Sequence, residues 1–345
     1  MNQYSQRLEK IEEELYRLMP ENASSEWLPS MTDSLSSPVP TSMIDRFHAP
    51  GLELLRRGGK RWRPLVMVLC CEAAGGNAED AYALSPLVEM AHNGSLIVDD
   101  IEDKSVERRG QPAVHLLYGD DMSINTGTLM MFNATSLVRK TGGDDTLKFT
   151  VLDSYCESLR RLHFGQGLDI QWHNDHEIVP DVPVYLQMCR FKTGALARFA
   201  AFAGSFIGGA EKTLCDRAAE SWEKAGVGFQ ILDDVKNLST GNPGKDRGDD
   251  IVEGKKSLPV ILFHQSHRNQ YREFAPLMEA AGKKGIQEGS DEVNQAIRIL
   301  ENAGAIKRAE DIALSMLRES AAELREIFPE SSARELQCGI IESFR

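Results

Sequence analysis

In Leu96-Ile-Val-Asp-Asp-Ile-Glu-Asp-Lys-Ser-Val-Glu-Arg-Arg-Gly110, an apolar start is followed by four carboxylates and then by two arginines. On a helix, Asp99 and Asp103 share one face with Cβ atoms about 6 Å apart, and their like charges repel each other. A divalent cation that prefers oxygen ligands, Mg2+ above all, relieves this repulsion. Arg108 and Arg109 suit a phosphate group. The pattern therefore indicates a metal-bridged phosphorylated ligand, and the competing interpretation is a helix end with a solvated acidic face.

The composition narrows the class of protein. The chain has 345 residues, 41% of them hydrophobic, which is enough for one large domain or two modest ones. A net charge of −13 argues against nucleic-acid binding and means that an anionic substrate needs a local basic pocket and metal ions. The six cysteines show no CxxC spacing, which indicates buried free thiols in a reducing compartment. Because there is neither a secretory signal nor an apolar run of about 20 residues, we expect a cytoplasmic protein without a transmembrane segment.

Hydrophobic periodicity predicts helices along nearly the whole chain. Residues 4–19 form an amphipathic pattern, residues 20–42 are rich in proline and serine, and the helical pattern resumes at Ile44. Strand signals are nearly absent. The sequence therefore predicts an all-α protein, with an N-terminal helix and connector at 1–43 and one helical domain at 44–345.

The helix that leads into the acidic stretch has a recognisable start. Ser85 is predicted as its N-cap and Pro86 as a residue of its first turn. Glu89-x-x-His92 has the form of a di-iron motif, but the chain contains no second ExxH, so this interpretation is rejected. His92 is then either a polar core histidine or a ligand-binding residue.

Further clusters suggest chemistry. A basic loop lies at 57–64, and glycines that permit close helix packing lie at 165–172. Lys192 stands in an apolar run, where a lysine either reaches the surface or is buried for a function. A second carboxylate cluster lies at 228–237. The following segment, 239–257, carries lysines and is either a lid or a solvated surface loop.

Taken in order, these motifs resemble those of the trans-isoprenyl diphosphate synthases, also called polyprenyl synthetases. The resemblance covers roughly residues 45–320. It rests on Gly58-Gly-Lys-Arg-Trp-Arg-Pro64, Asp99-Asp-Ile-Glu-Asp103 with Arg108-Arg109-Gly110, Gly165-Gln-Gly-Leu-Asp169, Lys192-Thr193-Gly194, Gly228-Phe-Gln-Ile-Leu-Asp-Asp234 and Gly254-Lys-Lys-Ser-Leu-Pro259. It implies antiparallel helices around a deep central cavity (the isoprenoid synthase fold) and a homodimer. It also implies Mg2+-dependent head-to-tail condensation of isopentenyl diphosphate with an allylic diphosphate, by ionisation, condensation and elimination.

The resemblance also implies a role for each matching residue. The expected metal ligands are Asp99, Asp103 and Asp233, with Asp100, Asp234 and Asn237 as secondary candidates. They would hold three Mg2+ ions with substrate bound, and Mn2+ is expected to substitute. The expected contacts of the allylic diphosphate are Arg108, Lys192, Lys245 and Lys255, and those of isopentenyl diphosphate are Lys60, Arg63, His92 and Arg109. Thr193 and Gln230, with the Lys192 backbone region, would stabilise the carbocation.

Two departures from the family pattern matter. Asn237 replaces a third aspartate, which keeps an oxygen ligand but removes a charge. Small residues, Gly94 and Ser95, stand just before the first motif, where farnesyl-producing members have bulky aromatics, and Ala91 is small as well. The sequence therefore predicts a tunnel open beyond fifteen carbons and a product of C20 or longer, which Gly94→Phe should shorten. The candidates for the tunnel floor are Met130, Met131 and Phe132.

Two other functions compete. A class I terpene cyclase shares the fold and the first motif, but the run from Asn237 through Thr240 to Gly244 lacks the final glutamate of its second site. A catalytically silent subunit of a heteromeric synthase is disfavoured because both metal motifs are nearly whole. The preferred primer, the exact product length, the pathway and the role of residues 1–43 are left open by the sequence.

Overall fold

Helices make up nearly all of the regular structure. The computed structural model of the chain describes residues 3–32, 35–175, 177–241 and 247–345. Among these residues, β structure is limited to two antiparallel strands of two residues each, and no helix is long and apolar enough to cross a membrane. The all-α prediction is confirmed. The helices are α1 (Gln3–Leu18), α2 (Trp27–Thr32), α3 (Thr41–Arg56), α4 (Trp62–Ala73), α5 (Ala78–Leu84), α6 (Pro86–Glu102), α7 (Val114–Tyr118), α8 (Asp120–Asn133), α9 (Ser136–Lys140), α10 (Asp145–Asn174), α11 (Val182–Cys189), α12 (Ala195–Ile207), α13 (Lys212–Ser239), α14 (Asp249–Val252), α15 (Leu258–Ser266), α16 (Arg268–Glu288), α17 (Ser290–Asn302), α18 (Ala305–Ile327) and α19 (Ser332–Glu342).

Contacts divide the chain into two compact units. The first unit takes its residues from Met1–Glu157, Phe199–Ala219 and Ile327–Gln337, and the remaining segments, which include the second carboxylate cluster, form the second unit. The boundary at residue 44 stays a prediction.

Glycines allow helices of the first unit to touch backbone to backbone. A Cβ atom at Gly94 of α6 would lie 2.4 Å from the carbonyl oxygen of Gly127 on α8, and a Cβ at Gly127 would lie 2.7 Å from the oxygen of Gly94. In the same way, a Cβ atom at Gly204 of α12 would lie 2.1 Å from the carbonyl oxygen of Met67 on α4. Protein interiors are close-packed, so no larger side chain fits at such contacts. The expectation that the small Gly94 leaves open space for a product is therefore wrong: the space is filled by α8.

The second unit has a core of its own. Apolar side chains from α13 to α17, among them Phe263, Phe274 and Ile297, are fully buried together. Gly248 directly precedes α14 and has φ 88°, and a Cβ there would lie 2.3 Å from Val293. The core thus fixes the segment that returns from the second aspartate motif, because only glycine fits both this backbone angle and this contact.

Several local predictions need correction. The segment 20–42 was expected to be a connector, but it contains α2, and α3 begins at Thr41. Ser85 stands at the N-cap position of α6 as predicted, but its side chain makes no capping hydrogen bond; its hydroxyl donates to the Tyr82 carbonyl 2.9 Å away instead, and Pro86 stands in the first turn as predicted.

The two short strands, β1 (Glu107–Arg108) and β2 (Gln111–Pro112), form a tight hairpin after the first aspartate motif. Its turn residues, Arg109 and Gly110, have φ of 56° and 73°. Two positive φ angles are typical of a type I′ turn. The hairpin escaped prediction because each strand has only two residues and because Arg109 adopts an angle that residues with a side chain rarely take.

We expect the two glycines in the middle of α10 to respond oppositely to alanine. A Cβ at Gly165 would lie 2.3 Å from the backbone nitrogen of Lys192, so Gly165→Ala should destabilise the protein by about 1–3 kcal/mol. Gly167 has nothing within 4 Å of its Cβ position, so Gly167→Ala should stabilise the helix by about 0.5–1 kcal/mol. Urea unfolding of both variants measures this, and equal effects would contradict the close contact.

Candidate active site

The first aspartate motif lies where α6 ends. Asp103 follows the last residue of the helix, and its N–H donates to the Asp99 carbonyl 2.8 Å away, so the two residues stand one turn apart. Both side chains are half-buried, whereas Asp100 between them is fully buried. The geometry therefore leaves Asp99 and Asp103 suited to a ligand and turns Asp100 inward.

Arg108 is bound to this motif. Its Nε donates to Asp100 Oδ1 at 2.7 Å, and its Nη2 lies 3.2 Å from Asp99 Oδ2. Burial by itself lowers the pKa of Arg108, but the neighbouring carboxylates, Asp100 first among them, outweigh burial and raise it. Arg108 therefore stays charged beside the two carboxylates that are expected to hold metal.

Arg109 turns to a different group of residues. Its Nη1 donates to the carbonyls of Leu54, 3.1 Å away, and of Gly58. The same loop carries Arg63, whose Nη1 lies 3.3 Å from His92 Nε2. The hairpin turn thus separates the two arginines, one to the aspartates and one to the basic loop.

We call Lys60, Arg63, His92 and Arg109 the basic pocket, and its positive charges repel one another. Burial, together with the arginines around them, lowers the pKa of Arg63 and of Arg109 to about 10 each. The pKa of His92 lies well below its usual value, by burial first and then by Arg63 and Arg109. His92 is therefore neutral and accepts the hydrogen bond from Arg63, which has no acceptor of its own. Lys60 is exposed at the mouth of this loop. An anion bound here would relieve the mutual repulsion of the cations.

Sequence reasoning missed Arg61, the most buried side chain of the loop. It is 3% exposed and forms an ion pair with the equally buried Glu89 at 2.8 Å. Lys60, Arg61 and Arg63 are all basic, so their charge alone does not show which of them is buried. The only sequence signal was Glu89, a carboxylate in the apolar first turns of α6, which the rejected di-iron interpretation had singled out.

The second unit holds a small cavity of about 70 Å³ that brings together most of the other predicted residues. Asp233 is exposed there, whereas Asp234 is buried and accepts hydrogen bonds from the Tyr185 hydroxyl at 2.6 Å and from Gln230 Nε2 at 2.9 Å. Burial raises the pKa of Asp234 to about 6. Asp233 is thus the aspartate suited to a ligand, and Asp234 organises its neighbours. The lining comprises Asp169, Tyr185, Met188, Lys192, Gln230, Asp233, Asp234, Asp250, Lys255, Lys256 and Ser257.

A π-helical turn at Arg190–Gly194 presents Lys192 and Thr193. Such turns are frequent at functional sites. Lys192 Nζ donates to Asp169 Oδ2 at 2.6 Å, and the Thr193 hydroxyl donates to Gln230 Oε1 at 2.6 Å. Lys192 is neither a free surface lysine nor fully buried; it is half-buried and ion-paired at the cavity.

Three further predicted residues are Lys255, Asn237 and Lys245. Lys255 Nζ lies 2.5 Å from Glu253 Oε2. Asn237 is 1% exposed, and its Oδ1 accepts from the Asp250 N–H at 3.3 Å. A neutral amide costs less to bury there than a carboxylate would, which accounts for asparagine at this position. Lys245 lies outside the described residues.

The chain-length candidates differ in surroundings. Ala91 and Ser95 lie on the same face of α6 as Asp99, at successive spacings of four residues. Met130 and Met131 are buried, and both approach the Cβ position of Gly94 to 3.3 Å. Phe132 is 65% exposed. The roles of these residues in product length stay predictions.

The donors of the first motif fit Mg2+. Within the described ranges, no three His, Cys, Asp or Glu side chains come together as a metal-binding group. Mg2+ usually takes one or two carboxylates together with phosphate oxygens and water. Asp99 and Asp103 therefore suit an ion that binds together with a diphosphate.

Comparison with known proteins identifies the family. The sequence profile of the polyprenyl synthetase family matches residues 45–300. The chain belongs to the polyprenyl synthetase family. This polyprenyl synthetase is 30% identical over 288 residues to the geranylgeranyl diphosphate synthase of Methanosarcina mazei (83% of this chain, 85% of the relative). It is 33% identical over 284 residues to the short chain isoprenyl diphosphate synthase of Methanothermobacter thermautotrophicus (82% and 84%).

The fold agrees with that assignment. The crystal structure of geranylgeranyl pyrophosphate synthetase from Pyrococcus horikoshii matches this polyprenyl synthetase with a TM-score of 0.84 at 28% identity, covering 99% of this chain and 96% of that one. The resemblance seen in the motifs is thereby confirmed, and so is the isoprenoid synthase fold class.

Lys256 was not among the predicted site residues, yet it is 3% exposed and its pKa is lowered from 10.5 to about 8 by burial. Between these two pH values the unfolded chain holds the proton and the folded chain does not, so stability should rise from pH 8 to pH 10.5. Lys256→Met should remove this rise and be more stable than the parent below pH 8, by at most about 3 kcal/mol.

Denaturant unfolding of both proteins from pH 7 to pH 10.5 checks this expectation, with the exposed Lys212→Met as the control for a lost lysine charge. A constant stability difference between the parent and Lys256→Met across this range would contradict it.

Proposed function

We propose that this polyprenyl synthetase is a trans-prenyltransferase that joins isopentenyl diphosphate head to tail to an allylic diphosphate. Its relatives bear the names geranylgeranyl, geranylfarnesyl and short chain isoprenyl diphosphate synthase. The observation that carries the proposal is the pairing of two unlike anion sites in the first unit. One has carboxylates with Arg108, and the other has cations around a neutral His92.

The carboxylate site handles the diphosphate that leaves. When bound there, Mg2+ supplies positive charge that offsets the charge developing on the departing group. Asp99 and Asp103 hold the metal on one face of α6, and Arg108 donates to the same diphosphate. Departure of the diphosphate leaves an allylic carbocation, the double bond of isopentenyl diphosphate forms the new carbon–carbon bond, and one proton is then lost.

The basic pocket handles the diphosphate that is kept. Arg63 and Arg109 donate to it, Lys60 reaches it from the loop, and His92, already an acceptor for Arg63, keeps that guanidinium oriented. No charge develops on this diphosphate during the reaction, so cations suffice and no metal is needed. The neutral state of His92 matters because a further positive group would lower the pKa of the arginines still further.

The roles expected of the residues that line the 70 Å³ cavity belong to the same proposal. Lys192 and Lys255 donate to its diphosphate, and Asp233 is a further metal ligand. The Thr193 hydroxyl and Gln230 present oxygen atoms whose partial charge favours a nearby carbocation. Asp234, held by Tyr185, fixes the orientation of Gln230. Three Mg2+ ions, a homodimer and a cytoplasmic location belong to the same proposal.

Incubation of the purified chain with Mg2+, farnesyl diphosphate and radiolabelled isopentenyl diphosphate tests this function. We expect a product of C20 or longer and no product in excess EDTA. Asp103→Asn should lower kcat at least about 100-fold, because several kcal/mol of charge stabilisation is lost. Glu102→Gln, which removes an exposed carboxylate from the same stretch, is the matched control and should retain activity.

The other candidates give different results in this assay. Release of a cyclic hydrocarbon would indicate a terpene cyclase. No elongation of any primer by the chain alone would overturn the proposal in favour of a silent subunit of a heteromeric synthase.

Product length is expected to respond to Ser95 and not to Gly94. Ser95 shares the face of Asp99 and is half-buried, so Ser95→Phe should place a ring beside the growing chain and shift the product toward C15. Gly94→Ala should lower Tm, because its Cβ meets α8, without shortening the product. Thin-layer separation of dephosphorylated products measures the product length of both variants, and thermal unfolding measures Tm. An unchanged length in Ser95→Phe would remove α6 from the length-determining wall.

A further inference from the structure

The basic loop is held from behind by one arginine in an unusual backbone conformation. Arg61 has φ 47°, in the left-handed region that side chains disfavour. It stands directly before α4 and between Lys60 and Arg63, the two loop residues assigned to isopentenyl diphosphate. Such a conformation persists only where surrounding contacts enforce it. The partners of Arg61 therefore determine the course of the loop.

All three guanidinium nitrogens of Arg61 are engaged. Nε donates to Glu12 Oε1 at 2.6 Å, Nη1 to Glu89 Oε1 at 2.8 Å, and Nη2 to the Leu55 carbonyl at 2.8 Å. Burial alone lowers the pKa of Arg61, but Glu89 and Glu12 outweigh burial and raise it. Arg61 is thus a charged and buried group whose three nitrogens each have a protein partner, so it is suited to positioning the loop and not to contacting a substrate.

The carboxylates stand on the rear side of the pocket. Glu89 also accepts from Asn93 Nδ2 at 2.8 Å, which fixes it on α6 one turn before His92. Arg61 and Arg109 approach the Cβ position of Gly59 to 3.3 Å each. The charge of Arg61 therefore lies close to that of Arg109, and the two glutamates, which both accept hydrogen bonds from Arg61, offset it there.

Glu12 brings in a part of the chain whose role the sequence left open. It belongs to α1, which lies outside the residues matched by the family profile. This helix is docked by the buried Ile11 and Leu15 and by an ion pair from Arg7 to Glu72 at 2.7 Å. Docking alone would be served by those contacts. Glu12 adds a contact to the loop that binds substrate.

We propose that α1 supports the isopentenyl diphosphate site: through Glu12 it holds Arg61, and Arg61 sets the turn from Lys60 into α4, the helix that carries Arg63. Glu12 and Arg61 are positioning residues. The inference rests on the proposed function for the identity of the anion. It goes beyond that function by assigning a role in substrate binding to the N-terminal segment.

The test compares two ion pairs of the same helix. Glu12→Gln should raise KM for isopentenyl diphosphate about 5- to 10-fold, as expected for loss of one charged hydrogen-bond partner, and leave KM for farnesyl diphosphate within about twofold. Glu12→Asp should recover part of the loss. Glu72→Gln, which breaks the Arg7 ion pair and leaves the loop untouched, is the matched control and should leave both KM values unchanged.

Binding separates this inference from the proposed function. Isopentenyl diphosphate is titrated into each protein by calorimetry without allylic substrate, so no turnover is needed. Weaker binding in Glu12→Gln alone supports the inference even if the parent proves unable to elongate. Equal binding and equal KM values in Glu12→Gln and the parent, or the same losses in Glu72→Gln, would overturn it, because α1 would then be structural only.

Discussion

The buried ion pair between Arg61 and Glu89 is the interaction on which the substrate-binding part of the first unit depends. Both side chains are about 2–3% exposed, so neither charge is solvated by water. Removing Arg61 would leave the buried Glu89 without the guanidinium that pairs with it, which costs several kcal/mol, on the order of 3–5. The pair therefore does more than add stability: it makes any arrangement of the loop other than the observed one expensive. This explains how an arginine with a left-handed backbone conformation is tolerated between Lys60 and Arg63.

Helix α6 combines the functions that surround this pair. Along one helix the chain places the counter-charge Glu89, the neutral acceptor His92, the close-packed Gly94 and then the carboxylates Asp99 and Asp103. The helical period sends these residues to different sides, so that Gly94 seats the helix on α8 while Asp99 and Asp103 keep a shared face. Rigid seating of that helix would matter for the proposed metal site, because carboxylates that bind a metal must be held to within a fraction of an ångström.

The sequence predicted the helices, because these depend on local patterns, and it named the candidate site residues from local motifs. Asp99 and Asp103 need only helical spacing, and the motif order needs no geometry. What escaped prediction depends on partners far away in the chain. Gly94 looked like open space because its neighbour Gly127 lies on another helix. The role of Arg61 could not be distinguished from that of Lys60 because the partners of Arg61 come from α1 and α6. For the same reason the burial of Asn237 could not be foreseen, since a backbone N–H from α14 occupies its oxygen.

The structure also explains how a chain of net charge −13 can bind anions. At distances beyond about 10 Å salt screens the overall charge, so the repulsion it exerts on a diphosphate is weak. At the expected isopentenyl diphosphate site, Arg63 is buried and Arg109 is half-buried, and their pKa values are lowered first by burial and then by neighbouring positive charges. In the proposed function an arriving diphosphate would offset both effects, because it brings negative charge to these guanidinium groups. Arg108 differs because it already has carboxylate partners. The carboxylates beside it would need added positive charge, which a metal ion bound together with the leaving diphosphate would supply.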